Sequence, residues 1–531
     1  MHATLVLTGG ESMGLQPFQN EAFLDFTQDA ERQRMQHAKA VVAPQLGRRY
    51  PLIIGGEEVS TARYFVSANP AQPGQVIGEI AQASTADVDQ AVAAAQAAFI
   101  PWSRIPVWDR SALLLRAGHL LRQRRRELLA WIAYEVGKSF TQGDGEVAEA
   151  IDHFEWNARL IQQWMDGKPI TPLVSEFNQY RYLPLGVGVV ISPWNFPSTL
   201  PLGMILSAIA AGNTVVFKPA EEASVIAHQL VRVLMDAGLP PGVVNLVSGS
   251  GSELGPRLVT HPDVRFVAFV GSREVGTAIY QQASGVTPGQ RGLRRIMTEM
   301  GGKNATIIAD DADLNWALDE VAVSAFGYQG QKCSATSRVI IMEKVYEEFL
   351  QGIEQRARHW SEAAGMPIEN ALFGPVITAN ALHRISAIFD RAPDWGHLRV
   401  GGHVMERPGY FVEPTVVQDV NPRSPLFQEE IFGPVLSAVC ASSFDEALQL
   451  ANDSDYALTG AVFSRSPARL AQARDEFYVG NLYLNRSSTG AMAGVHPFGG
   501  YRFSGTGPKV GGPDYLGFFL QAQTITEKVR F

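Results

Sequence analysis

Cysteine is scarce in this sequence: 531 residues carry only two, Cys333 and Cys440. Two cysteines exclude a disulfide framework and a cysteine-rich zinc site, and they fit a reducing compartment such as the cytoplasm or an organelle matrix. No run of eighteen apolar residues occurs, so no membrane span is expected. A secretory start is missing, because Met1 to Gly10 lack a basic beginning and Thr4 to Leu7 form only a short apolar patch. There is no Arg-rich, acid-poor transit segment either; Met13 is an alternative start. Excess positive charge is absent too. The net charge of −9 argues against a nucleic-acid binder. The usual dinucleotide fingerprint G-x-G-x-x-G is also lacking. Gly186-Val187-Gly188 has no third glycine at the required spacing, and Gly249-Ser250-Gly251 is followed by Gly255, one residue late. No tandem repeat or low-complexity segment is present.

What remains is a chain with 46% hydrophobic residues, long enough for two to four domains with large buried cores. Residues 1–44 read as a helical extension, with 21–42 rich in Ala, Gln, Glu and Arg. Residues 50–54 form a strand that turns at Gly55-Gly56, and 85–99 a helix capped by Ser84 or Thr85. Residues 111–137 read as one long amphipathic helix whose basic run, Arg122-Gln123-Arg124-Arg125-Arg126, is a solvated face. Residues 169–184 form an extended arm or hairpin. From Val187 to Ala283, and again from Ile296 to Asn485, strands alternate with helices through short turns. That alternation means βαβ units and parallel sheets, which bind nucleotides beyond the carboxyl ends of their strands. Residues 523–526 read as a terminal strand.

The stretch Gly327-Tyr328-Gln329-Gly330-Gln331-Lys332-Cys333-Ser334-Ala335-Thr336-Ser337-Arg338 concentrates reactive chemistry. Gly327 and Gly330 permit backbone geometry that other residues resist. Lys332 can favour the thiolate of Cys333. Polar neighbours on both sides weigh against an inert packed thiol. Asn195, between Pro193 and Pro197 after a strand, is either a turn asparagine or an amide donor for an oxyanion. Glu299, in Thr298-Glu299-Met300-Gly301-Gly302-Lys303, is either a salt-bridged surface carboxylate or a general base acting through water. Lys218 ends a strand, and Glu221 follows where a carboxylate can accept ribose hydroxyls. Gly271-Ser272 opens a helix whose N-terminus can hold a phosphate. Glu430 and Phe432, one residue apart, can bracket a ribose and a flat ring, or simply form a capped turn.

Taken in order, Pro193-Trp194-Asn195-Phe196-Pro197, Lys218-Pro219-Ala220-Glu221, Gly271-Ser272, Glu299-Met300-Gly301-Gly302-Lys303, Gly330-Gln331-Lys332-Cys333, Glu430-Ile431-Phe432-Gly433-Pro434 and Pro497-Phe498-Gly499-Gly500 resemble the aldehyde dehydrogenase superfamily over residues 50–531. Lys332 and Ser334 flanking Cys333, the segment Ser488-Thr489-Gly490-Ala491-Met492-Ala493-Gly494, and the ending Ser504-Gly505-Thr506-Gly507-Pro508-Lys509 are most similar to the branch that oxidises L-glutamate 5-semialdehyde. Pro17-Phe18-Gln19-Asn20-Glu21 adds to that similarity.

The resemblance implies an α/β, aldehyde-dehydrogenase-like fold. It would have a Rossmann-type NAD-binding domain (45–172 and 192–300), a second α/β catalytic domain (301–512) and a β oligomerisation arm (173–191 and 513–531), preceded by the helical extension. It implies Cys333 as nucleophile, Asn195 with the Cys333 N–H as oxyanion donors, and Glu299 as the base for deacylation. It places NAD on Ser192, Lys218, Glu221, Gly271, Ser272, Val275, Glu430 and Phe432. It assigns the α-carboxylate of the substrate to Ser334, Gly490 and Ala491, the methylenes to Phe196 and Phe498, and pairs Lys332 with Glu149 near the substrate end. Some relatives carry serine in place of Ala491, so a backbone N–H must serve there. Glu221 would repel a 2′-phosphate, favouring NAD over NADP. The implied partners are a small-molecule substrate and further copies of the chain, at least a dimer, with no nucleic acid, membrane or metal, in the cytoplasm. Three other readings stay open: a dehydrogenase for another semialdehyde, a non-catalytic relative, and a cysteine hydrolase.

Overall fold

The computed structural model describes residues 15–528. The alternative start at Met13, the patch Thr4 to Leu7 and the first part of the expected N-terminal helix lie outside the described residues.

Two seven-stranded sheets carry the architecture. The first runs in the order Arg295–Glu299, Val264–Val270, Val187–Ile191, Thr214–Lys218 and Val244–Leu246, all parallel, and continues into the antiparallel hairpin of Leu52–Ile54 and Glu57–Val59. The second runs His397–Val400, Thr415–Gln418, Val435–Ala441, Thr336–Met342, Asn304–Ile308, Thr459–Phe463 and Asn481–Leu484. Only its His397–Val400 edge is antiparallel. Strands buried on both faces are apolar at consecutive positions, as residues 187–191, 266–270 and 339–342 of the inner strands are. Val190, Val215 and Phe217 face one core while Val189, Val216 and Val267 face another. In the second sheet Ile307 and Ile340 point to one core, and Ile308, Val339 and Ile341 to the other. The side-chain period of two thus feeds separate cores from each sheet.

A nine-residue strand, Glu176–Pro184, leaves the body and pairs antiparallel with Leu520–Lys528 along its whole length. The 169–184 arm and the terminal strand are therefore two halves of one ribbon, longer than residues 523–526 alone. Helix Thr85–Ser103 starts as expected. Ser84 caps it through a capping box in which Asp87 N–H donates to Ser84 Oγ and Ser84 N–H donates to Asp87.

Two expectations fail. The N-terminal extension is helical only over Asp29–Val42; residues 15–28 run without helix. They are held open by carboxylates that take their main-chain donors: Glu21 N–H donates to Asp152 Oδ1 at 2.6 Å and Leu24 N–H to Asp144 Oδ2 at 2.7 Å. The expected long helix over 111–137 is two helices, Val107–Gln123 and Arg125–Glu135, broken at Arg124. Its basic run is not a solvated face either. Arg125 is buried and forks onto Asp144 at 2.7 and 2.8 Å, Arg126 grips Glu31, and Arg122 reaches both Glu21 and Glu155. The basic run clamps the N-terminal segment to the body.

Candidate active site

Helix Leu314–Phe326 delivers the chain to the cysteine loop. Gly327 itself has an ordinary backbone (φ −57°); the left-handed conformations fall on Tyr328 (φ 52°), Gln329 (φ 55°) and Gly330 (φ 64°). Left-handed non-glycine residues cost about 1–3 kcal/mol each and persist only where packing imposes them. Here the Tyr328 hydroxyl donates to Val136 O at 2.8 Å, and Gln331 Oε1 accepts Ile377 N–H at 2.9 Å. At Gly330 a side chain is excluded, since a Cβ would stand 2.4 Å from Gly433 O. Beyond the thiol, Asn304 Nδ2 donates to Cys333 O at 2.6 Å and to Ala335 O at 2.8 Å. The loop is pinned on both sides of the sulfur.

Glu299, the last residue of strand Arg295–Glu299, brings Oε1 to 3.8 Å from Cys333 Sγ. Burial pushes the Glu299 carboxyl up to about 7; contact with the thiol and the charge of Lys509 oppose that rise. Burial, then the Glu299 and Glu430 carboxylates, push the Cys333 thiol well above its ordinary range, with the Ser334 N–H opposing. Burial and the two carboxylates, not Lys332, therefore dominate the thiol.

Asn195 is buried, and one amide N–H donates to Gln331 O at 3.1 Å, which leaves the second for a ligand. Its main-chain carbonyl accepts from Lys138 Nζ at 2.6 Å. Lys138 is fully buried, bonded to Glu146 Oε2 at 2.5 Å and stacked over Phe196 and Tyr328 at 4.0 and 4.5 Å. Glu146 in turn accepts from Ser198 N–H at 2.7 Å and Ser198 Oγ–H at 2.8 Å. Lys138 and Glu146 went unrecognised in the sequence. Their one signal was spacing: Glu146, Glu149 and His153 stand three and four residues apart, on one face of helix Phe140–Met165.

Glu149, Phe196, Lys332, Ser334, Gly490, Ala491 and Phe498, the residues assigned to the substrate end, line one cavity of about 400 Å³ that also takes in Cys333. The expected Lys332–Glu149 pair does not form. Lys332 Nζ donates instead to Gln142 Oε1 at 3.1 Å, seven residues before Glu149 on the same helix. Burial, reinforced by the charge of Lys138, lowers Lys332 to about 7. Burial raises Glu149 to about 8, helped by Asp152, Glu146 and Glu299. Gly490 has φ 78° and Ala491 needs no such freedom, so the turn places a bare backbone against the cavity.

The residues assigned to NAD collect elsewhere. Ser192, Lys218 and Gly271 lie at the carboxyl ends of three neighbouring parallel strands, Val187–Ile191, Thr214–Lys218 and Val264–Val270. Ser272 caps helix Arg273–Ser284 by accepting Val275 N–H at 3.3 Å, and Val275 and Glu221 are exposed at that edge. Glu430 accepts Gly302 N–H at 2.9 Å, and burial raises its carboxyl to about 7. Phe432 (φ 54°) is locked edge-on to Trp194 at 5.5 Å. Gly301 leaves room for the Glu430 carboxylate, which a Cβ there would meet at 2.0 Å. Polar and apolar groups around the carboxyl edge of a parallel sheet, with a helix N-terminus at that edge and a carboxylate cradled by glycines, fit a dinucleotide.

Comparison with known proteins agrees with this geometry. A family model described as "Aldehyde dehydrogenase family" matches residues 58–525. The chain is 46% identical over 514 residues to a 1-pyrroline-5-carboxylate dehydrogenase of Geobacillus thermodenitrificans, covering 97% of this chain and 99% of that one. A Thermus 1-pyrroline-5-carboxylate dehydrogenase crystallised with bound NAD superposes with a TM-score of 0.95 at 45% identity, over 97% of this chain and 99% of that one. A Staphylococcus aureus betaine aldehyde dehydrogenase solved with NAD⁺ superposes with a TM-score of 0.87 at 28% identity, over 93% and 97%. With a family model matched over residues 58–525 and 46% identity along nearly its whole length, the chain belongs to the aldehyde dehydrogenase family.

Proposed function

We propose that this protein oxidises L-glutamate 5-semialdehyde, the open form of 1-pyrroline-5-carboxylate, to L-glutamate with NAD, the last step of proline degradation. The observation that carries this reading is the cavity of about 400 Å³ that Cys333 shares with Ser334, Gly490 and Ala491. Similarity to 1-pyrroline-5-carboxylate dehydrogenases along nearly the whole chain supports it.

Cys333 Sγ adds to the aldehyde carbon, and its proton passes towards Glu299 Oε1 at 3.8 Å. The second N–H of Asn195 and the Cys333 main-chain N–H stabilise the oxygen of the thiohemiacetal. Bound at the sheet edge, NAD accepts the hydride that leaves the former aldehyde carbon. Ser192, Lys218, Glu221, Gly271, Ser272 and Val275 hold its adenosine and pyrophosphate half; Glu430 and Phe432 orient the nicotinamide half. Once Glu299 has released that proton to solvent, its carboxylate takes a proton from water, which attacks the thioester and frees glutamate and the thiol. Phe196 and Phe498 flank the substrate methylenes, and Ser334 with the bare backbone at Gly490 and Ala491 receives the α-carboxylate.

The first sheet, within 45–172 and 192–300, binds the cofactor; the second, within 301–512, supplies the nucleophile; and the ribbon within 173–191 and 513–531 joins copies into at least a dimer. The cytoplasm suits a reduced thiol of this kind. Kinetics of Ser334→Ala test the reading. KM for glutamate semialdehyde should rise about tenfold, the worth of one charge-assisted bond, while propanal changes little. Equal shifts for both aldehydes, or a wild-type kcat/KM higher for a simple aldehyde, would sink it.

A further inference from the structure

The segment before the first helix reaches the substrate cavity. Phe23, 63% exposed, is part of the cavity wall, which Gln142 and Thr489 also line. Three residues earlier, Asn20 Nδ2 donates to Asp152 Oδ2 at 2.8 Å and to Ala493 O at 3.0 Å. Ala493 lies two residues after Ala491, in the turn that offers bare backbone to the cavity. The next residue, Gly494 (φ 76°), is wedged under an aromatic pair: a Cβ would meet Phe18 at 2.9 Å and Trp156 at 3.0 Å, and those rings stand 5.2 Å apart, edge to face. The segment is fixed as firmly on its other side. Glu21 pairs with Arg122 at 2.7 Å and with Arg125 at 3.3 Å, and its N–H and that of Leu24 end on Asp152 and Asp144. Both aspartates project from Phe140–Met165, the helix that also carries Glu149.

We infer that residues 18–24 are a specificity strap: Asn20 holds the 488–494 turn in register against the helix that bears Glu149, and Phe23 closes the outer wall of the cavity. The inference rests on the substrate reading above, because the turn is where the α-carboxylate would sit. Asn20 touches neither the thiol nor the substrate, so it is a positioning residue. An aldehyde without a polar head makes no use of the turn and should not sense the strap.

Two full-length variants test this, Asn20→Ala and Phe23→Ala. In Asn20→Ala, amide hydrogen exchange over 488–494 should quicken about tenfold, and KM for glutamate semialdehyde should rise about five- to tenfold, the worth of one hydrogen bond. KM for NAD and kcat/KM for propanal should stay within about twofold. Phe23→Ala, an exposed change that leaves every strap hydrogen bond in place, should raise KM for glutamate semialdehyde about threefold without altering exchange in the turn. Unchanged exchange over 488–494 in Asn20→Ala overturns the strap, and so does an equal KM shift for the two aldehydes. If the wild-type enzyme proves indifferent to glutamate semialdehyde, the substrate reading falls, and exchange in the turn still decides whether Asn20 positions it.

Discussion

Lys138 Nζ lies 2.6 Å from the main-chain carbonyl of Asn195, so a cation from the connection between two helices fixes the loop that carries the proposed oxyanion donor. The same ammonium is neutralised by Glu146 at 2.5 Å, and Glu146 grips Ser198 on the far side of that loop. A buried pair contributes little net stability while intact, but removing one partner strands the other charge and costs about 3–5 kcal/mol. Lys138→Met should therefore lower Tm markedly, and Lys138→Met combined with Glu146→Gln should recover most of that loss. Activity should not recover in step. With the Asn195 carbonyl unheld, kcat should stay down about 10–100-fold in the double variant, because misplacement by one ångström can cost that much. A double variant with full activity would show that the pair does not position Asn195.

The Glu299 carboxyl sits near 7, and Cys333, Lys509, Glu149 and Tyr515 all feel its charge. Deacylation needs the carboxylate, so kcat should fall below about pH 7 with unit slope wherever deacylation limits turnover. The Lys509 ammonium, tied to Gly480 O, Gly499 O and Asn481 Oδ1, holds the Glu299 value down. Removing that cation raises the value further, so in Lys509→Met the acid limb should move to higher pH, whereas Lys509→Arg should keep it in place. Glu299→Gln should release one NADH per site in a burst and then stall as thioester. A Lys509→Met profile that coincides with the wild type would discount the lysine as the tuning charge.

Most of the architecture was legible because both sheets are buried on both faces. Continuous apolar runs such as residues 266–270 and 339–342 announce themselves without tertiary information. The cysteine loop, Asn195 and Glu299 were legible through their order along the chain. What stayed hidden was charge in the interior. Arg125, Lys138 and Glu146 look like surface residues until the segments that neutralise them, from Glu21 to Asn195, are folded beside them. The break at Arg124 was hidden for a related reason, since helix propensity alone favours continuing through it. Lys332 lies in the cavity it was assigned to, but the partner the resemblance implied, Glu149, gives way to Gln142 on the same helix.

The ribbon of Glu176–Pro184 with Leu520–Lys528 stands as an isolated pair of strands with largely exposed side chains. A lone two-stranded ribbon is marginal in water, and Val174 and Phe177 expose apolar surface at the end away from Pro184 and Leu520. A second copy of the chain would cover it. Deleting residues 521–528 should convert the oligomer to monomer by light scattering, with the thermal transition lowered by concentration-dependent loss of the interface. An unchanged particle mass would assign assembly to another surface.

Gly301 gives the sharpest handle on the cofactor end. A methyl there would stand 2.0 Å from Glu430 Oε2, inside any permissible contact. The nearer partner to move is the tip of the glutamate, not the backbone, so Gly301→Ala should fold. To clear the methyl, Glu430 must leave its bond from Gly302 N–H at 2.9 Å. The carboxylate would then be displaced from the place where it meets a ribose. KM for NAD should rise about tenfold, as for one lost bond to a charged group, with little change in the KM for the aldehyde. Gly302→Ala serves as the contrast: its Cβ would press on Cys333 O at 2.8 Å and Asn304 Oδ1 at 2.6 Å, so it should depress kcat through the nucleophile loop. If both variants raised the same kinetic constant, Glu430 would not be acting on the cofactor separately from the thiol.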